Sequence, residues 1–220
     1  MENIQLNSDL RSVVAIVTPV LAEIVKQIFK DNGTEVRYEI DGEGTASREW
    51  MDVLGLANAE KKILVGMMPK AEADAMSEKL GRSLPLKKAG NGIVFTLPAE
   101  KMKTSVGKLP GVETGEVDFC LVVIIANKGT SEKVMDAART VGASGGTVVH
   151  GEEVRKHALI KAWGLRHAET REIILILSQP DKAKVLMSAV MEQCGSDPQV
   201  QARTFVNKVE QAEGLHYYLQ

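Results

Sequence analysis

The chain has 220 residues, 44% of them hydrophobic and 25% charged, with a formal net charge of −2 at pH 7. Those proportions are ordinary for a globular protein, and so small a charge gives no field drawing the chain onto nucleic acid or an anionic membrane. Two cysteines without a CxxC or Cys/His spacing support neither zinc nor a disulfide framework, and the longest apolar run, Phe119 to Ala126, is far too short to span a bilayer. No signal-like segment opens the sequence, so a cytoplasmic location is expected.

In chain order, Ser12 to Val17 is a short, valine-rich apolar run, as a strand buried on both faces would be. Pro19 stands where a helix begins, Leu21, Ile24, Val25, Ile28 and Phe29 recur at helical spacing, and Asn32-Gly33 stops the helix. Glu35 to Ile40 alternates as a half-exposed strand. Asp41-Gly42-Glu43-Gly44-Thr45 reads as a loop, with a helical turn around Trp50. Lys61 to Met68 is the next strand, Lys70 to Leu80 a helix stopped by Gly81, and Ile93 to Leu97 the strand after a glycine loop. Residues 99–117 connect to a second set. This comprises a strand at Phe119–Ala126, a helix at Ser131–Val141, a strand at Thr147–His150, a strand at Glu172–Leu177, a helix at Asp181–Cys194 and a strand at Gln201–Val206.

The second set echoes the first. Gly33-Thr34-Glu35-Val36-Arg37-Tyr38-Glu39-Ile40-Asp41-Gly42 matches Gly142 to Gly151 at an offset of 109, and after a slip of two residues Pro69 meets Pro180. A period of half the chain means a duplicated domain rather than a solenoid. The expectation is α+β: tandem ferredoxin-like βαββαβ domains, residues 1–109 and 110–220. Two helices on one face of each sheet leave the other face to be covered by another sheet or another chain.

Two glycine loops carry the chemistry. In Gly145-Gly146-Thr147, successive backbone N–H groups could form a nest for an anion, with the threonine hydroxyl beside them. Gly90-Asn91-Gly92, with Lys87 and Lys88 alongside, suits a phosphate chain. Taken singly, each also reads as a tight turn, and no Walker motif occurs. Gly146→Val is expected to abolish ligand binding, and to spare folding where φ is negative. His150 and His157 lack a third metal ligand, so no metal is expected, and Glu152 and Glu153 read as a solvated charge run.

Val141-Gly142-Ala143-Ser144-Gly145-Gly146-Thr147-Val148 and Gly90-Asn91-Gly92-Ile93-Val94-Phe95 resemble two segments of the PII nitrogen-regulator family, the strand leading into the signalling T-loop and the B-loop with its following strand. The resemblance implies a non-enzymatic, nitrogen-regulatory signalling protein. It implies ATP or ADP as regulatory ligand at Gly145, Gly146, Thr147, Gly151, Lys88, Gly90, Asn91 and Gly92. It also implies a small-molecule effector, a target transporter or enzyme regulated through a loop, and a homotrimer. The departures are that Gly195-Ser196-Asp197-Pro198 stands at the second B-loop, Thr34-Glu35-Val36 at the first T-loop entrance, and Ile93 where the family has a basic residue. The alternatives are an ACT-like amino-acid-sensing module on the same topology and a weak nucleotide hydrolase.

Overall fold

The computed structural model describes residues 10–45, 60–88, 90–98, 118–150 and 171–214, at position 150 the main chain alone. The turn around Trp50, the connection 99–117 and Gly151 lie outside the described residues.

The first half runs β1 (Leu10–Val17), α1 (Pro19–Asp31), β2 (Tyr38–Gly44), β3 (Glu60–Pro69), α2 (Lys70–Ser83) and β4 (Gly92–Pro98). The second runs β5 (Phe119–Asn127), α3 (Ser131–Arg139), β6 (Thr147–His150), β7 (Arg171–Ser178), α4 (Pro180–Val190) and β8 (Arg203–Val209), with a short β9 (Gln211–Glu213) at its end. Each half is thus the ferredoxin-like βαββαβ unit. Pro19 occupies the first turn of α1, where a missing N–H costs nothing, and Gly33 follows the helix at φ +69°. α4 continues into one π-helical turn, Met191–Gly195.

The described strands form a single antiparallel sheet in the order β8-β5-β7-β6-β2-β3-β1-β4-β9. Its two outer members, β8 and β9, are separated in sequence by Glu210 alone. β8 pairs with β5 while β9 pairs with β4, and the N–H of Glu210 donates to the carbonyl of Thr96 at 3.0 Å. The sheet therefore closes into a barrel, which removes its edges. The halves meet at two seams, β9 on β4 and β6 on β2. At the second, Gly44 opposes Thr147 and Glu43 opposes Val148. Extended along the strands, that register sets position 41 against position 150, which the repeat makes equivalent, so a pseudo-twofold axis crosses the seam there.

Strand alternation divides the core into three. Val14, Ile16, Ile63, Val65, Phe95 and Leu97 from the first half meet Leu121, Val123, Val149, Ile173, Leu175 and Val209 from the second inside the barrel. Val13, Ala15, Val17, Leu64 and Val94 face outward under α1 and α2. Val122, Ile124, Val148, Ile174 and Ile176 do the same under α3 and α4. A strand buried on both faces needs an unbroken apolar run, which is why β1, β5 and β7 read so plainly. The face left open in one unit is covered by the other unit of the same chain. Threefold packing, the expected cover for that face, is not needed for it.

Several boundaries differ from expectation, two of them at glycines. Asp41 to Gly44 is strand, not loop: Asp41 pairs with Lys62 and Gly42 with Lys61. Position 42 is tight: a Cβ would lie 3.1 Å from both Thr147 Cγ2 and the Val148 carbonyl, where the second half closes in. Gly81 does not stop α2, which runs on to Ser83; a Cβ at 81 would fall 2.8 Å from the Glu213 side chain of β9.

Candidate functional site

The two glycine loops are not brought together. Thr147 begins β6 and Gly92 begins β4, with β2, β3 and β1 between them. Four strand spacings make about 19 Å along the sheet. Each loop is also engaged inside the chain. Gly146 N–H donates to Thr45 Oγ1 at 2.7 Å, and Gly146 carbonyl accepts from Thr45 N–H at 2.9 Å. Thr147 is buried and paired with both Gly44 and Leu175. Gly145 lies in the half-buried link just before β6.

Gly90-Asn91-Gly92 is a turn clamped to the start of α1. Asn91 N–H donates to the Lys88 carbonyl, Asn91 carbonyl accepts from Thr18 N–H, and Asn91 Nδ2 donates to the Pro85 carbonyl. Gly90 and Gly92 have φ of +78° and +133°. A Cβ at 92 would fall 2.1 Å from the Ile16 carbonyl, so the glycine is required by the approach of β1. Lys87 and Lys88 are exposed. The cation that reaches this turn is Lys61, whose Nζ donates to the Gly90 carbonyl at 3.1 Å. Burial pushes its amine below the ordinary lysine value. Sequence reasoning passed over Lys61 because it opens an apolar strand.

A better-formed concavity lies on the second half. Residues Val141 to Ser144 form one wall, and Ser178, Gln179 and Lys182, at the end of β7 and the start of α4, form the other. Phe119, Ile176 and Leu186 form its apolar floor, and its volume is about 30 Å³, enough for a small polar head. The start of α4 makes no side-chain cap hydrogen bond, and its first turn carries Asp181. Among the described residues Lys182 forms no ion pair. Two serines, a lysine and the start of a helix around one concavity suit a small anion, although Pro180 supplies no N–H and the Ala183 N–H is bonded to the Gln179 carbonyl. Counted from Pro69 and Gln179, the residues that precede α2 and α4, the first half has Glu72 where the second has Lys182, so the anion-attracting lysine is not repeated. A signal for Lys182 was available, a helix-opening proline with lysine two residues on, but without the fold nothing set it beside residues 141–144.

The barrel interior offers no comparable room. Its cavity of about 20 Å³ is lined wholly by apolar residues such as Val14, Ile63, Phe95 and Leu175. Both cysteines are buried, and burial pushes both thiols up, against a pull from Lys208 on Cys120 and from Lys133 on Cys194. Such thiols are poor nucleophiles. Among the described residues no cluster of His, Cys, Asp and Glu fits a metal ion, and no helix is long and apolar enough to cross a membrane.

No family model and no curated protein matches the chain. Among solved structures it is similar to the ligand-free regulatory subunit of aspartate kinase from Thermus thermophilus, at 15% identity over 85% of this chain and 93% of that one, with a TM-score of 0.34. It is also similar to a putative monooxygenase from Fusobacterium nucleatum, at 8% identity over 94% and 95% with a TM-score of 0.29. A heme-binding protein from Thermus thermophilus matches at 12% identity over 91% of each chain, with a TM-score of 0.27. Likeness at this level says nothing about what the chain binds; the fold, two ferredoxin-like units closed into one barrel, stands on its own strand order and registers.

Proposed function

We propose that this chain is a non-catalytic regulatory module that binds a small anionic metabolite, one per chain, in the groove between residues 141–144 and the start of α4. The observation that carries the reading is the meeting of Lys182, the hydroxyls of Ser144 and Ser178, and the uncapped start of α4 around one small cavity. One lysine and one helix start beside the groove match the charge of a carboxylate or single phosphate head better than that of a triphosphate. The separation of the two glycine loops further favours the ACT-like small-molecule sensor over the PII-type nucleotide sensor. Among the described residues no general base or metal-holding carboxylate lines the groove, and the nearby Asp181 is exposed, which supports a binding rather than a hydrolytic role.

A thermal-shift screen of the twenty amino acids, 2-oxoglutarate, AMP, ADP and ATP tests this. The expected result is stabilisation by one or a few small carboxylates. Stabilisation by ATP or ADP alone would restore the nucleotide reading, and silence across the panel would remove the regulatory-ligand reading.

A further inference from the structure

The stretch from Arg139 to Gly146 does two things at once. Its middle, Val141 to Ser144, is one wall of the groove. Its two ends both grip Thr45 of the other half. Arg139 Nη2 donates to the Thr45 carbonyl at 2.9 Å, while its Nη1 donates to Asp136 at 2.8 Å. At the far end Gly146 N–H donates to Thr45 Oγ1, and Thr45 returns both its N–H and its hydroxyl to the Gly146 carbonyl, at 2.9 and 3.1 Å. Thr45 directly follows β2, whose last residue, Gly44, opposes Thr147 across the seam. Arg139 Nε is buried with no hydrogen-bond partner among the described residues.

We infer that the 139–146 loop is a transmission element: an anion seated in the groove is read out at Thr45 and along β2, across the seam between the halves. This rests on the groove being a binding site, and it names how that site is coupled to the rest of the molecule. An occupant drawn toward Lys182 fixes residues 141–144. Fixing the middle of so short a loop fixes both of its ends, and the ends are the two grips on Thr45. The first half thereby senses a ligand that touches only the second. The coupling is energetic and reciprocal, so loosening Thr45 weakens the groove by the same factor.

A covalent occupant tests the coupling without knowledge of the natural ligand. Ser144 is exposed, whereas Cys120 and Cys194 are 0% and 1% exposed, so Ser144→Cys in the full chain takes a methanethiosulfonate label at one place. The sulfonatoethyl label sets an anion in the groove, and the methyl label is the neutral control. Amide hydrogen exchange is then followed over residues 38–45. The sulfonate is expected to slow exchange there at least about threefold relative to the methyl label, by suppressing local opening of the seam. Thr45→Val in the same background loses both hydroxyl bonds but keeps the two main-chain ones, and halves that difference or better, while Thr45→Ser, which keeps the hydroxyl, preserves it. Should Thr45→Val fail to fold, Arg139→Met takes its place and halves the effect or better. Equal exchange with the two labels, or a full effect surviving in Thr45→Val, overturns the inference. Failure of every free metabolite to bind would overturn the groove's natural role alone, because the tethered sulfonate reports on coupling in either case.

Discussion

A carbonyl oxygen, not a dihedral angle, limits what can replace Gly146. Its φ lies outside the left-handed region, which on backbone grounds alone would tolerate a side chain. A Cβ there would nevertheless stand 2.8 Å from the Leu175 carbonyl and 2.9 Å from Ile176 Cγ1. Gly146→Val is therefore expected to lose about 1–3 kcal/mol of stability through overpacking. A fall in urea midpoint at unchanged slope would record this; an unaltered midpoint would contradict it. Lys61 yields a second test at this scale. Because burial lowers its amine's pKa in the folded state, the unfolded chain binds the extra proton between that lowered value and the ordinary 10.5. Stability from this residue consequently rises with pH through that window. Lys61→Met should raise the thermal midpoint at pH 7, and its advantage over the wild type should shrink as pH approaches 10.5.

The helices show how a distant carboxylate can stand in for a local cap. α3 begins after Thr130, which makes no side-chain cap bond, but the buried Glu172 of β7 accepts from Ser131 N–H at 3.1 Å. Glu172→Ala should cost about 1–2 kcal/mol, as loss of a helix cap does, and should raise exchange first in residues 131–135. Elements with a strong period were legible in the sequence. α1 has its proline start, its apolar stripe and its Asn-Gly stop, and β1 and β5 are unbroken apolar runs. What misled was glycine. Gly42 and Gly44 read as a turn, yet the first lies under Thr147 and Val148 of the other half and the second on the seam itself; Gly81 reads as a stop, yet α2 runs through it to Ser83. Neither the cover over Gly42 nor the seam at Gly44 exists until the halves are folded together. β9 was invisible for the same cause, since three residues pair with β4 only after the barrel has closed.

Across the whole molecule the repeat was legible and its consequence was not. An offset of 109 residues gave two ferredoxin-like units, and each unit has an apolar sheet face to cover. Which partner covers it depends on the seam registers, which no single-strand pattern contains. Since both faces are buried against each other, light scattering should return the mass of one chain, 23.9 kDa; a threefold mass would mean that a further apolar surface awaits cover. The site was half legible. Residues 141–147 read as a turn into a strand, and β6 does begin at Thr147, but Lys182, across the groove, is 38 positions on from Ser144 and shares no motif with it. The measurement that bears most directly on the account is a calorimetric titration of the screening hit into wild type and Lys182→Met. The account predicts one site per chain in the wild type and at least about a tenfold weakening in the variant, the worth of one charge-assisted hydrogen bond. Two sites per chain, or an affinity indifferent to Lys182, would contradict it.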